Sequence, residues 1–175
     1  ITTAYTVGEL IATPFATWFA ITLSVRRFHR LMVTICAVIA AILPFVLNLN
    51  LLIFLRFLQG MSSGALIPIL MMAALKFLPP SIRLHGLALY AMTATFAPNV
   101  AIWLAGQWTD GLTQWRWIYW QIIPISFVAA SLTGWGLPHE KIITVRFKEA
   151  NWFGMLLGSI ALALIAIALD QGVRL

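Results

Sequence analysis

Long apolar runs alternate with short polar segments along the whole chain. About 20 apolar residues cross a bilayer as an α-helix, and six runs of roughly this length occur. The predicted spans are Thr2–Leu23, Leu31–Leu47, Leu51–Leu75, Leu84–Gly106, Arg116–Pro138 and Trp152–Leu169. Strand-type alternation is absent, and open strands leave their backbone groups unpaired in lipid. The pattern therefore predicts an all-α, polytopic membrane helix bundle whose neighbouring helices are antiparallel.

The composition excludes a soluble domain. The 175 residues are 62% hydrophobic and 9% charged, and a soluble domain of this length needs a more polar exterior. The net charge of +6 does not indicate a nucleic-acid partner, because the basic residues lie between the apolar spans. The chain begins inside an apolar run with Ile1 in place of a start Met, so we expect it to be a piece of a longer protein.

Basic residues occur in alternate loops and predict the orientation of the spans. Loops 24–30, 76–83 and 139–151 contain Arg or Lys, whereas loops 48–50 and 107–115 contain neither. Basic loops face the cytoplasm by the positive-inside rule, so the N-terminal residue is predicted on the outer side. Several Trp surround the loop at 107–115 and are interpreted as an interfacial aromatic belt. The span Leu31–Leu47 has almost no polar groups and is predicted to be a peripheral, lipid-facing helix.

An arginine lies inside the third predicted span. Arg56 costs about 2.5–3.5 kcal/mol at such a place on mild insertion scales, so a use for it is expected. Gln59, Gly60 and Ser63 share its helix face, and Gly64 completes the run R-x-x-Q-G-x-x-x-G. We interpret this face as part of a polar pathway through the bundle. The alternative is that Arg56 extends to the nearby outer surface.

The first span carries a polar stripe at helical spacing. Its members are Thr2, Thr6, Glu9, Thr13 and Thr17. Such a stripe is expected to face a partner helix or an aqueous cavity. Glu9 is either a proton site or a structural carboxylate hydrogen-bonded to threonines. At 1.5 Å per residue, Glu9 and Arg56 lie about 10 and 8 Å from the outer ends of their spans, so a direct ion pair is a further hypothesis.

The fourth span has small residues on one side. Ala94, Ala97, Ala101 and Ala105 recur at helical spacing, with Pro98 between them. Small side chains let helices approach closely, so this side is predicted to be a packed seam that slides or rocks.

Other chemistry is not indicated. A phosphate-binding G-x-x-x-x-G-K-[ST] loop is absent, and the three histidines lack metal-ligand spacing. The sequence contains no recognisable nucleophile–base pair. We therefore expect no enzyme activity, no cofactor and no metal site.

Several of these segments together resemble a known family. They are Y-T-V-G-E-L-I-A-T-P (5–14), R-F-L-Q-G-M-S-S-G (56–64), P-P-S-I-R (79–83), A-P-N-V-A-I-W-L-A-G-Q-W-T-D (97–110), W-R-W-I-Y-W-Q-I-I-P (115–124) and L-D-Q-G (169–172). In this order they resemble the major facilitator superfamily, and within it the 14-helix drug:proton antiporters of EmrB/QacA type.

The resemblance implies a partial major facilitator fold. Residues 1–138 correspond to five helices of the N-terminal six-helix half without its first helix, 139–151 to a cytoplasmic loop, and 152–175 to the first extra helix between the halves. The resemblance and the polar faces described above together give the predicted site residues. These are Arg56 and Glu9 for proton coupling; Gln59, Ser63, Thr6 and Thr13 for the pathway lining; and Gly60, Gly64, Ala97, Pro98, Ala101, Ala105 and Gly106 for helix packing and the antiporter-type motif.

The expected function is proton-driven efflux of amphipathic drugs or toxic compounds by alternating access in the bacterial inner membrane. The implied partners are the substrate, protons and the bilayer, and in some family members a periplasmic adaptor and an outer-membrane channel. Here the usual Gly-Pro pair of the antiporter signature is Ala101 and Ile102, and the Gly and Asp of the loop motif are Thr17 and Ile21. Uptake or uniport of a small metabolite, or a non-transporting membrane fragment, therefore stay as alternatives.

Overall fold

The computed structural model describes residues 2–111, 114–141, 148 and 150–172. The helices are α1 (Thr2–Leu23), α2 (Val25–Ile42), α3 (Leu49–Phe77), α4 (Pro80–Gly106), α5 (Trp117–Trp120), α6 (Ile122–Gly136) and α7 (Trp152–Gly172). A 3-10 turn (Leu43–Phe45) follows α2, and a π-helical turn (Gln107–Gly111) follows α4. No strand occurs within the described ranges, and the all-α prediction is confirmed.

Five helices in the described ranges are long and apolar enough to cross a membrane. The fifth predicted span, Arg116–Pro138, is instead divided at Gln121 into α5 and α6. Pro124 explains the division, because its ring nitrogen has no N–H to donate to the carbonyl of Trp120 one turn earlier. The Gln121 side chain donates to the Ile118 carbonyl at 3.1 Å beside this break.

The connection between α1 and α2 is one residue long. Ser24 has a backbone φ of 78°, in the left-handed region that residues other than glycine rarely adopt. The predicted loop at 24–30 is therefore wrong: α2 begins at Val25, and Arg26, Arg27 and Arg30 lie on its first two turns. By contrast, α3 has a regular start, because the Asn48 side chain accepts from the Asn50 N–H at 2.9 Å.

The tightest contact in the bundle joins α1 and α3. A Cβ atom added at Gly60 would overlap the Tyr5 carbonyl, and one added at Gly64 would overlap the Glu9 carbonyl. From the other side, a Cβ on Gly8 would overlap the Phe57 carbonyl. The two backbones therefore touch where both helices have glycine, the kind of approach that small residues permit between membrane helices.

The buried core continues from this contact into α2. Ala12, Ala16 and Ala20 of α1 pack with Phe28 of α2 and Ile69 of α3. The span that contains α2 is 44% buried, a larger share than in the other four spans. The prediction of a peripheral, lipid-facing α2 is therefore wrong for the side of α2 that packs against the core. A helix without polar groups packs against protein as readily as against lipid.

Three basic segments meet at one end of the bundle. Arg26 donates to the Leu137 carbonyl at 3.2 Å, and its Nη1 lies 2.8 Å from Nδ1 of His139. Lys76 forms an ion pair with Glu140 at 2.6 Å. We call this the basic end. Most of the predicted loop 139–151 lies outside the described residues.

The last helix packs along α1. The Ser159 hydroxyl donates to the Ile11 carbonyl at 2.9 Å, and Ser159 is buried. Near the opposite end from the basic residues, Thr3 donates to the Asp170 carboxylate at 2.7 Å. These contacts make α1 the helix that both α3 and α7 cover.

The α1–α3 contact predicts opposite outcomes for two glycines. In the full-length chain, Gly64→Ala should lower the free energy of unfolding by about 1–3 kcal/mol, because the added methyl group overlaps backbone that cannot move aside cheaply. Gly134→Ala is the control: a Cβ there meets nothing within 4 Å, and alanine favours the helix by about 1 kcal/mol. Thermal unfolding in detergent measures both, and equal effects of the two variants would contradict the contact.

The orientation of the spans is a second prediction. In a Cys36→Ser background, a membrane-impermeant maleimide added to intact cells should label Asn50→Cys. It should label Ser81→Cys only after permeabilisation, because that residue lies at the start of α4 between Lys76 and Arg83, in the basic segment that is predicted to face the cytoplasm. The reverse pattern of labelling would overturn the predicted orientation.

Candidate functional site

Arg56 is held by side chains of the protein. About two turns into α3, its Nη1 donates to Oε1 of Gln59 at 3.1 Å. Its guanidinium carbon lies 4.7 Å from the ring centroid of Tyr119 in α5, a cation–π distance. Arg56 is half-buried, and the alternative that it extends to the nearby outer surface stays a prediction. Its Nε is buried and has no partner among the described residues.

Gln59 connects Arg56 to α2. The residue is only 2% exposed, so its amide needs partners inside the protein. Its oxygen accepts from Arg56, and its side chain lies near the Cys36 thiol of α2. The Arg56–Gln59 pair thus lies where α2, α3 and α5 meet.

A second polar pair joins α1 to α3 one turn further along. The Tyr5 hydroxyl and the Ser63 hydroxyl are hydrogen-bonded at 2.5 Å. Tyr5 also lies within electrostatic range of both Glu9 and Arg56. The tyrosine therefore lies close enough to both charged side chains that the sequence singles out to be influenced by each.

Glu9 and Arg56 do not form the hypothesised ion pair. No contact between them occurs in the described structure, where the only ion pair is Lys76–Glu140. Arg56 is directed to Gln59 and Tyr119 instead. Glu9 is half-buried, and its backbone packs against Gly64. Similar depth in the membrane did not bring the two side chains together, because depth does not fix the direction in which each helix face points.

The threonines beside Glu9 bond to their own helix. Thr13 donates to the Glu9 carbonyl at 3.0 Å, and Thr6 donates to the Thr2 carbonyl at 3.3 Å. Both hydroxyls donate to backbone oxygens. Among the described residues, threonine hydroxyls therefore do not hold the Glu9 carboxylate, contrary to the structural alternative. Thr6 is exposed and Thr13 is half-buried. Their role in lining a pathway stays a prediction.

The small-residue side of α4 is open. Across its whole length, Pro80–Gly106, no residue of α4 is buried. Ala97, Ala101 and Ala105 line a groove of about 730 Å³ that Ile118 and Ile122 border from α5 and α6. A Cβ on Gly106 would meet nothing within 4 Å, and Pro98 is exposed. The predicted packed seam is therefore not formed by the described residues.

Aromatic rings cluster beside Arg56. Trp108 and Trp117 are stacked with centroids 5.7 Å apart, and Trp117 meets Trp120 edge-on at 5.9 Å. The Trp108 indole N–H donates to Gln121 at 3.1 Å. We call this the aromatic end. These tryptophans contact one another, and they also lie at the predicted membrane–water interface.

Two tyrosines of the site were missed from sequence. Tyr5 lies one helical turn before Glu9, and this spacing could have identified it. Tyr119 had no such signal, because its contact with Arg56 joins distant parts of the chain. Among the described residues, no group of three or more His, Cys, Asp or Glu side chains could hold a metal ion.

Comparison with known proteins decides the family. Residues 1–169 match the Major Facilitator Superfamily. This chain belongs to the major facilitator superfamily. Its helices and this membership make it part of an integral, multi-pass membrane protein of a transporter family.

Named relatives of this superfamily member come from bacteria. It is 35% identical over 128 residues to the fatty acid resistance protein FarB of Neisseria gonorrhoeae, covering 73% of this chain and 25% of that protein. It is 30% identical over 170 residues to the probable multidrug resistance protein EmrY of Escherichia coli (strain K12), covering 97% and 33%. It is 34% identical over 128 residues to the multidrug export protein EmrB of the same strain, covering 73% and 25%. The chain thus spans between a quarter and a third of the length of these relatives.

The Tyr5–Ser63 pair predicts energetic coupling between α1 and α3. Tyr5→Phe and Ser63→Ala should each lower the free energy of unfolding of the full-length chain by about 0.5–1.5 kcal/mol, because each removes a hydrogen bond. The double variant should cost less than the sum, with an interaction energy of at least about 0.5 kcal/mol. Strict additivity would contradict the bond. Thr13→Val, whose hydroxyl bonds within α1, paired with Ser63→Ala, is the control that should be additive.

Proposed function

We propose that this chain is part of a proton-driven exporter of amphipathic drugs or toxic compounds in the bacterial inner membrane. The observation that carries the proposal is Arg56, a cation inside a membrane-spanning helix that Gln59 and Tyr119 hold in place. A permanently charged group at such a place is costly, and intramembrane charges are typical of ion and substrate pathways. The names of three relatives state either export or resistance, and this supports outward transport.

In this proposal Glu9 takes up the proton. Glu9 lies one helical turn after Tyr5 on α1, and Tyr5 lies within electrostatic range of both Glu9 and Arg56. Protonation removes the negative charge of Glu9 and so changes the electric field at Tyr5, which also lies within electrostatic range of Arg56. The resulting change of field favours one of the two states of an alternating-access cycle. Gln59 and Ser63 line the route, and Thr6 and Thr13 continue it along α1.

The energy available is sufficient for export. Each proton that enters gains about 2.3 kcal/mol per 100 mV of membrane potential, and a tenfold concentration step requires about 1.4 kcal/mol. Transport of this kind needs no covalent step, and we propose no enzyme activity and no cofactor. Residues 1–138 belong to the N-terminal half of the transporter, 139–151 to a cytoplasmic loop and 152–175 to an additional helix. A periplasmic adaptor and an outer-membrane channel complete the export path in this proposal.

A facilitator that carries a metabolite is the second candidate function. It is favoured by the open side of α4, where Ala101 and Ile102 stand in place of the Gly-Pro pair of the antiporter signature. Dependence of transport on the proton gradient separates it from the exporter.

Efflux measurements test the proposal. Cells that express the full-length chain should export a cationic dye, and a protonophore should abolish this export. Arg56→Ala should lower the rate by about 5- to 150-fold at matched expression, the range expected when a coupling free energy between two sites is lost. Arg56→Lys should also be impaired, because lysine lacks the planar group that both bonds Gln59 and stacks on Tyr119.

Arg116→Ala is the matched control. Arg116 is exposed and stacks only on Trp115, at 5.4 Å, outside the polar site. Efflux by this variant should stay at the wild-type rate. Equal dye retention in wild-type, variant and empty cells would exclude the exporter, and full activity after neutralising both Glu9 and Arg56 would leave only a scaffold role for these residues.

A further inference from the structure

The residues that follow α6 are fastened to the basic end of the bundle by contacts of different kinds. Residues 137–140 come directly after the helix. The Leu137 side chain packs against the buried core, and its carbonyl accepts from Arg26 of α2 at 3.2 Å. Glu140 pairs with Lys76 of α3 at 2.6 Å. We call residues 137–140 the clasp, because they join the end of α6 to both α2 and α3.

A contact between two basic side chains fixes the protonation state of His139. Nη1 of Arg26 lies 2.8 Å from Nδ1 of His139. A guanidinium has only N–H donors and does not lose its proton in proteins, so Nδ1 of His139 is the acceptor. Nη1 carries two hydrogens and can therefore donate to the Leu137 carbonyl as well. His139 is neutral in this contact, with its proton on Nε2.

A proton on Nδ1 would break this contact. It would remove the only acceptor that the ring offers to Arg26 and place two positive charges side by side. His139 is exposed, so protons reach it directly from solution. The contact between α2 and the clasp therefore exists only while the imidazole is neutral.

A second histidine contact between α2 and α6 has the opposite property. His29 is buried, and its Nδ1 lies 3.0 Å from the Thr133 hydroxyl. That hydroxyl donates its single hydrogen to the Ala129 carbonyl at 2.7 Å, so it accepts from the Nδ1–H of His29. Because Nδ1 carries this hydrogen in the charged ring as well, the contact does not require a neutral histidine. Of the two contacts, only Arg26–His139 is lost when the ring takes up a proton.

The other charged groups at this end of the bundle do not reverse the effect of acid. Protonation of Glu140 would weaken its pair with Lys76 and so loosen the clasp in the same direction, although glutamate ordinarily takes up protons at a lower pH than histidine does. The remaining cations already carry their charge and gain none on acidification. They are Arg27 and Arg30 on α2, Lys76 on α3, Arg83 on α4 and Lys141 after the clasp.

We propose that residues 137–140 form a proton-sensitive clasp, in which uptake of a proton by His139 frees Arg26, detaches the clasp from α2 and loosens the basic end of the bundle. The clasp is closed while His139 is neutral, at higher pH, and opens as the pH falls. Histidine is the side chain whose charge ordinarily changes between pH 5 and 8. The inference goes beyond the proposed function and does not rest on it, because the contact needs neither a substrate nor a proton gradient.

Solid-state NMR of the histidine ring nitrogens tests the protonation states. The full-length chain is labelled at histidine, reconstituted in phosphatidylcholine bilayers and studied at about pH 8. The signal that His139→Gln removes should show the proton on Nε2, and the signal that His29→Gln removes should show it on Nδ1. A proton on Nδ1 of His139 at this pH would overturn the proposal.

Spin labels measure whether the clasp opens. In a Cys36→Ser background, labels at Thr34→Cys on α2 and Lys141→Cys after the clasp, both exposed sites, report the distance between the two segments. Between about pH 8 and about pH 5.5, the ratio of the short-distance to the long-distance population should fall at least about threefold. The physical reason is that a hydrogen bond is replaced by repulsion between two cations.

Three variants separate the clasp from a general effect of acid. His139→Gln should keep the short distance at both pH values, because an amide oxygen accepts from Arg26 whatever the pH. His139→Lys should show the long distance even at the higher pH, because its charge is present throughout. His85→Gln is the matched control: it makes the same change at an exposed histidine of α4 and should respond to pH like the wild type.

Three outcomes of the distance measurement count against the clasp. They are a wild-type distance that does not change with pH, an equal response in His139→Gln and the wild type, and loss of the response in His85→Gln. Neither measurement uses a substrate or a gradient. Their failure with intact dye efflux would therefore leave the exporter proposal standing, and absence of efflux with an intact pH response would leave the clasp standing.

Discussion

The close approach of α1 and α3 is the constraint on which the rest of the structure depends. Gly8, Gly60 and Gly64 lie where a side chain on one helix would overlap a backbone carbonyl of the other. Within a membrane, helices gain little from hydrophobic burial against one another, so van der Waals packing of this kind supplies much of their association. The contact also sets the rotation of both helices and hence the positions of the polar residues on them.

The polar site follows from that rotation. Gly60 lies between Gln59 and Ser63 on α3, and Gly8 lies beside Glu9 on α1. When the glycines meet, the Tyr5 hydroxyl reaches Ser63, and Glu9 is brought against Gly64. The same residues that permit close packing therefore bring hydroxyl groups and a carboxylate into a part of the membrane where unpaired polar groups are costly. Packing and polar chemistry in this protein share one set of helix faces.

The aromatic end gives Arg56 a second set of partners. Tyr119 belongs to α5, which Pro124 and Gln121 separate from α6. The break lets this short helix hold a ring 4.7 Å from the guanidinium while α6 continues towards the basic end. The side of α4 that carries Ala97, Ala101 and Ala105 stays open by comparison.

The sequence by itself determined the all-α membrane class and the position of most apolar spans, and it singled out Arg56 and the glycines at 60 and 64. Span length, apolar content and the cost of a charge in lipid are properties of one segment at a time, so they can be read along the chain. Only the tertiary structure decided that Arg56 pairs with Gln59 and Tyr119 rather than with Glu9, that α2 is packed against protein, and that the small-residue side of α4 is open. Those outcomes depend on how each helix is rotated and which neighbour it meets, and contacts between distant segments leave no local pattern in the sequence.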